Sequence, residues 1–204
     1  MENKERLLLS DISVRFGKRV VFNKINFEFF RGNTYILGGA NGIGKTSLLN
    51  VIAGYIQYEG QVTKAANWTY DYLFQENTLF SNITVEENLL LKYLVRNDNL
   101  DGFSSICKNV LEQFEIISLI HKKVELLSGG EKQRVRLAQM LLNKSDIILL
   151  DEPLSQINEE SVNNICDTIS KVFCNSFLFI VSHNNWPGDH IKLQLTNGKL
   201  CGSG

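Results

Sequence analysis

The chain is expected to fold as an α/β protein with an antiparallel β edge and a small helical piece set into it. Three observations predict this. A glycine-rich loop at residues 39–46 stands between an apolar strand pattern and a helical pattern. Strand and helix patterns alternate over residues 35–54 and again over 133–181. Between them, over about 84–128, the hydrophobic period turns helical.

Residues 7–31 alternate and break in the manner of strands: Leu8 to Phe16, a turn at Gly17-Lys18, then Val20 to Phe22 and Ile25 to Phe30. Tyr35-Ile36-Leu37 is a short apolar strand, and Ser47 to Ala53 is a helix stopped by Gly54. Tyr58 to Val62 and Trp68 to Phe74 are two further strands. Thr84 with Glu87 three positions on is a capping box, and Leu89, Leu90, Tyr93 and Leu94 supply the apolar stripe behind it. A polar loop over 97–102 leads to a helix over 103–117, and another helix follows Gly130 to about Leu142. Ile147 to Leu150 is a buried strand, Asn158 to Phe173 a helix, and Phe177 to Val181 a fully apolar strand. Residues 191–200 form a terminal hairpin with Asn197-Gly198 at its turn.

Composition bounds the function. At 204 residues, 44% hydrophobic and 21% charged, the chain can bury a sizeable core. Its net charge of −1 gives no general drive toward nucleic acid, so no nucleic-acid partner is expected. No run approaches the ~18 apolar residues that a spanning helix needs, and no secretory signal is expected at the N-terminus. Cys107, Cys166, Cys174 and Cys201 match no zinc or C-x-x-C spacing, and the histidines form no H-E-x-x-H. The cysteines are expected to be reduced and mostly buried.

Gly39-Ala40-Asn41-Gly42-Ile43-Gly44-Lys45-Thr46 fills G-x-x-x-x-G-K-[ST] without a mismatch. Glycines let backbone N–H groups approach phosphate oxygens, and the following helix adds free N–H groups and its positive end. Lys45 can reach the β- and γ-phosphates, and the Thr46 hydroxyl can ligate Mg²⁺. Asp151 ends the apolar run Ile147 to Leu150, at the strand end where open α/β sheets bind ligands. It can hold Mg²⁺, and Glu152 beside it can serve as general base to a water. Leu127-Ser128-Gly129-Gly130-Glu131-Lys132-Gln133 opens a second helix with an anion-binding start. Either Ser128 serves the γ-phosphate of a partner chain or the segment is an ordinary helix cap.

Together these segments resemble the nucleotide-binding subunit of ABC transporters over essentially the whole chain. Residues 39–46 are similar to the Walker A motif of that family, 147–152 to its Walker B motif, and Leu127 to Gln133 to its signature. The resemblance implies a P-loop ATPase core with an antiparallel β subdomain and a small helical subdomain. It gives one domain over 1–204, with 1–83 and 131–204 as catalytic core and 84–130 as helical subdomain. It implies ATP and Mg²⁺, with Gly39, Asn41, Gly42, Gly44, Lys45, Thr46 and Ser47 around the phosphates and Ser128, Gly129 and Gly130 completing a partner's site. Phe16 falls where the family stacks an aromatic on adenine. Gln75 falls at the glutamine that touches Mg²⁺ and water, so Thr46, Gln75 and Asp151 form the metal set. Glu152, His183, Lys45 and Gln75 are the catalytic set, with His183 at the γ-phosphate switch position.

The partners implied are a second ABC ATPase subunit, the same or different, and a separate transmembrane permease contacted near Gln75 to Glu87. The location implied is the cytoplasmic face of the cell membrane, held peripherally. Departures are Asn158 in place of the usual acidic residue and a short segment before the signature, and no further domain is expected after the core. The trimmed lobe and small size lean toward export. The rival readings are a soluble ABC-type ATPase acting on nucleic acid or ribosomes, a small-molecule kinase, and a nucleotide-dependent binding module with little hydrolysis.

Overall fold

The computed structural model describes residues 5–182 and 185–203. The chain forms two compact units, one of Met1–Tyr72, Ser145–Glu152 and Phe173–Gly204, the other of Leu73–Lys144 and Pro153–Val172.

The first unit holds two sheets. The antiparallel sheet has the order β2-β1-β4, from β1 (Arg6–Phe16), β2 (Arg19–Phe30) and β4 (Glu59–Thr63). The other has the order β5-β6-β7-β3-β8-β9, from β3 (Thr34–Gly38), β5 (Tyr70–Leu73), β6 (Ile147–Asp151), β7 (Phe177–Val181), β8 (Ile191–Thr196) and β9 (Lys199–Ser203). β6, β7, β3 and β8 run parallel, so β3, β6 and β7 end at one edge. β6 and β7 are buried along their whole length, as continuous apolar runs in a parallel sheet should be. β8 and β9 pair antiparallel through Asn197 and Gly198, both at positive φ, as a two-residue hairpin turn demands.

An aromatic cluster joins the sheets. Phe29 of β2 meets Tyr35 of β3 and Phe179 of β7 edge-on, at centroid distances of 5.0 and 4.8 Å, while Tyr35 and Phe179 stack at 5.4 Å. The Tyr35 hydroxyl accepts from the Phe30 N–H at 2.7 Å, so its polar tip is satisfied. Burial of each such side chain contributes about 1.5–3 kcal/mol. Helix α1 (Lys45–Ala53) buries Leu48, Leu49, Val51 and Ile52 in this core and ends at Gly54 in the left-handed conformation.

The second unit is helical: α2 (Val85–Leu94), α3 (Phe103–Gln113), short 3₁₀ turns at Ile117–Leu119 and Val124–Leu126, α4 (Gly129–Leu141) and α5 (Glu159–Val172). It is larger than the 84–130 segment read from sequence. Side-chain bonds to backbone carbonyls tie α4 into it: Gln139 Nε2 donates to Asn88 O at 2.9 Å and, just past the helix, Asn143 Nδ2 to Lys92 O at 3.0 Å. The Thr84–Glu87 capping box is formed in both directions. The helix read over 103–117 stops at Gln113, because Glu115 takes positive φ and ends the regular ladder.

Candidate functional site

Two helix starts, one in each unit, hold most of the residues that the sequence singles out. In the first unit the chain leaves β3 at Gly38, turns through residues 39–44 and enters α1. Gly44 sits at φ 116°, and a Cβ on it would lie 2.4 Å from Val21 Cγ1 and 2.8 Å from Phe22 Cε1. Only glycine fits there. α1 has no side-chain cap and no acidic residue in its first turn, so its leading N–H groups are open to an anion. Asn41 and Gly42 are exposed and Ser47 is half-buried.

Lys45 is 8% exposed, and its Nζ donates to Gly39 O at 2.9 Å and Ala40 O at 3.2 Å. Thr46 Oγ1 donates to Asp151 Oδ2 at 2.7 Å. Asp151 is 3% exposed at the end of β6. Burial pushes its pKa up, against the Thr46 hydrogen bond and the Lys45 charge. A buried carboxylate short of positive charge beside a hydroxyl is a fit partner set for Mg²⁺, which binds through one or two protein oxygens plus phosphates. Among the described residues no group of three or more His, Cys, Asp or Glu side chains forms a separate metal cage.

Glu152 follows, half-buried, at φ 51°, with its N–H bonded to Val181 O at 2.9 Å. A non-glycine residue in the left-handed region costs of order 1–3 kcal/mol and is concentrated at working sites. His183 lies outside the described residues. Phe16 is 53% exposed at the end of β1, with Arg19 as its cross-strand partner. Arg19 Nη2 donates to Gly42 O at 2.5 Å, which ties the start of β2 to the phosphate loop. The sequence reading missed Arg19; the charged turn Lys18-Arg19 next to an exposed aromatic is the signal it left.

In the second unit Ser128 begins α4. Its Oγ accepts from Glu131 N at 3.3 Å while Glu131 Oε2 accepts from Ser128 N at 2.7 Å. This is a capping box, and it holds the Glu131 carboxyl below its ordinary pKa through the Ser128 backbone and hydroxyl bonds. The Ser128 hydroxyl is exposed. A Cβ on Gly129 would lie 2.2 Å from Gln156 Oε1, and one on Gly130 2.8 Å from Gln156 O. The two glycines thus make room for the 154–158 loop, which sequence reading did not anticipate. Asn158 Oδ1 accepts from Arg134 Nη2 at 2.9 Å. Gln75 is exposed, directly after Phe74.

The residues 22–155 match the family model described as ABC transporter. The chain is 32% identical over 198 residues to the zinc import ATP-binding protein ZnuC of Wigglesworthia glossinidia brevipalpis, covering 95% of this chain and 81% of that one. It is 28% identical to the energy-coupling factor transporter ATP-binding protein EcfA1 of Thermotoga maritima, covering 97% and 82%. A solved structure of a putative ABC transporter ATP-binding protein from Pyrococcus furiosus superposes with a TM-score of 0.82 at 26% identity, covering 93% of this chain and 97% of that one.

Proposed function

This chain belongs to the ABC transporter family, and from that premise we propose that it is the motor subunit that spends ATP to drive transport through a separate transmembrane partner. The observation that carries the reading is the cluster of Lys45, Thr46 and Asp151 at the carboxyl ends of β3 and β6, beneath an uncapped helix start. Lys45 exchanges its carbonyl partners for β- and γ-phosphate oxygens. The N–H groups of residues 42–47 cradle the same phosphates. Thr46 and Asp151 hold Mg²⁺, which when bound neutralises charge developing on the transferred phosphoryl group. Glu152, fixed through its N–H, orients a water and accepts its proton. Phe16 stacks on adenine. Gln75 and His183 keep the roles that their motif positions give them.

A second ABC ATPase subunit supplies Ser128 and Gly130 to the γ-phosphate, and the two chains close on ATP and reopen after hydrolysis. A permease docks near residues 75–87, which makes the chain peripheral on the cytoplasmic face. No helix among the described residues is long and apolar enough to cross a membrane. Export is the direction read from the trimmed lobe. Import is the second reading, favoured by similarity to proteins named for zinc import and for spermidine/putrescine import. Retention of a membrane protein by this chain in mild detergent, with its identity, tests the transport role and chooses between the two directions.

The enzymology has its own test. Glu152→Gln should bind ATP as the parent does, lower turnover by about 10²–10⁴-fold, and accumulate a closed dimer on a sizing column. Turnover equal to the parent's removes Glu152 from the role of base.

A further inference from the structure

Arg136 stands on α4 among apolar neighbours, Val135, Leu137 and Ala138, and is itself only 5% exposed. Such a site is costly for a guanidinium, whose charge burial disfavours. None of the ion pairs among the described residues involves it. Carbonyls answer the charge instead. Its Nη2 donates to Phe74 O and, at 2.6 Å, to Glu76 O. Its Nη1 donates at 2.7 Å to Gln133 Oε1, and Gln133, 4% exposed, donates through Nε2 to Pro153 O at 2.7 Å. The two clamped carbonyls belong to the residues on either side of Gln75. Pro153 is the residue after Glu152. A planar fork is the group that can hold two carbonyls and an amide at once; an ammonium offers a point charge.

We propose that Arg136 is a positioning residue for ATP hydrolysis: it fixes the backbone on both sides of Gln75 and, through Gln133, ties that loop to the segment leaving Glu152. The proposal rests on the reading of Gln75 and Glu152 given above. Two groups said to handle one water are then coupled by four side-chain bonds, so neither loop moves without straining the other. A buried arginine serving only to fill space needs no such pattern, since an apolar residue of similar volume does that at lower cost.

The test uses the full chain and the variants Arg136→Met, Arg136→Lys, Gln75→Ala and the double variant of the first and third. Amide exchange over residues 74–80 should quicken at least about tenfold in R136M while α3 keeps the parent's rates; unchanged exchange overturns the clamp. R136M should lower kcat about tenfold and leave the ATP Kd within about twofold. On the Q75A background the same change should cost less than about twofold, because the arginine acts through that loop. An equal loss on both backgrounds overturns the proposal. R136K, which keeps the charge without the fork, should recover less than half of the lost rate; full recovery overturns it as well. The same cycle built on R136K decides the matter where R136M does not fold. A parent chain with no Mg²⁺-dependent hydrolysis removes the functional reading and the proposal together, whereas additive kinetics in an active parent removes the proposal alone.

Discussion

The starts of α1 and α4 look alike as sequence, each a glycine-rich turn running into a helix, yet they are built oppositely. α1 opens on Gly44 with no cap and no carboxylate in its first turn. α4 opens on Ser128, whose hydroxyl caps Glu131 while the Glu131 carboxylate folds back on Ser128. The first leaves its amides to a ligand, and the glycine is there because Val21 and Phe22 occupy the space a side chain would need. The second satisfies itself and already carries a negative charge where an anion would approach. The difference teaches that a helix start is a strong phosphate site only when its own sequence declines to cap it.

Three changes sharpen or break this contrast. Gly44→Ala should have the largest effect, since it adds a Cβ at positive φ into occupied space. A strain of roughly 3 kcal/mol predicts about a hundredfold weaker ATP binding by titration, and unchanged affinity breaks the reading of α1 as the open start. Ser128→Ala should be milder. It removes a cap worth about 1 kcal/mol, so thermal unfolding falls by a few degrees while ATP affinity of the single chain stays at the parent's value. A loss of single-chain ATP affinity would assign Ser128 to its own molecule's nucleotide and undo the division between the two starts.

The smallest effect is on pH. The Glu131 carboxyl has a folded pKa below its unfolded value, so its contribution is present above the ordinary glutamate range and fades as pH falls through the lowered folded value. Acidification should therefore loosen the first turn of α4, seen as faster amide exchange at Glu131. Removing that carboxylate in Glu131→Gln should abolish the pH dependence at this turn, and its survival would break the reading of α4 as the self-capped start.

Much of this was legible in the chain. Thr84 with Glu87, the Asn197-Gly198 turn and the apolar run Phe177 to Val181 carry local signals, and each appears where its pattern places it. The phosphate loop was legible for the same reason, since its glycines, lysine and flanking elements are contiguous. What escaped depends on residues far apart in sequence. Gln156 under Gly129 and Gly130, Arg19 on Gly42, and Arg136 on the carbonyls around Gln75 are tertiary contacts with no periodicity to announce them. The early end of the third helix turns on one backbone angle at Glu115, and glutamate is not a residue that advertises positive φ.

The ammonium of Lys45 is already tethered to the carbonyls of Gly39 and Ala40. It acts as a placeholder, keeping the loop at working size with the charge parked at its mouth. On the reading proposed above, capture of a nucleotide exchanges one set of acceptors for another around a loop that Lys45 already holds. The entropy of shaping the cradle then falls on folding rather than on each binding event.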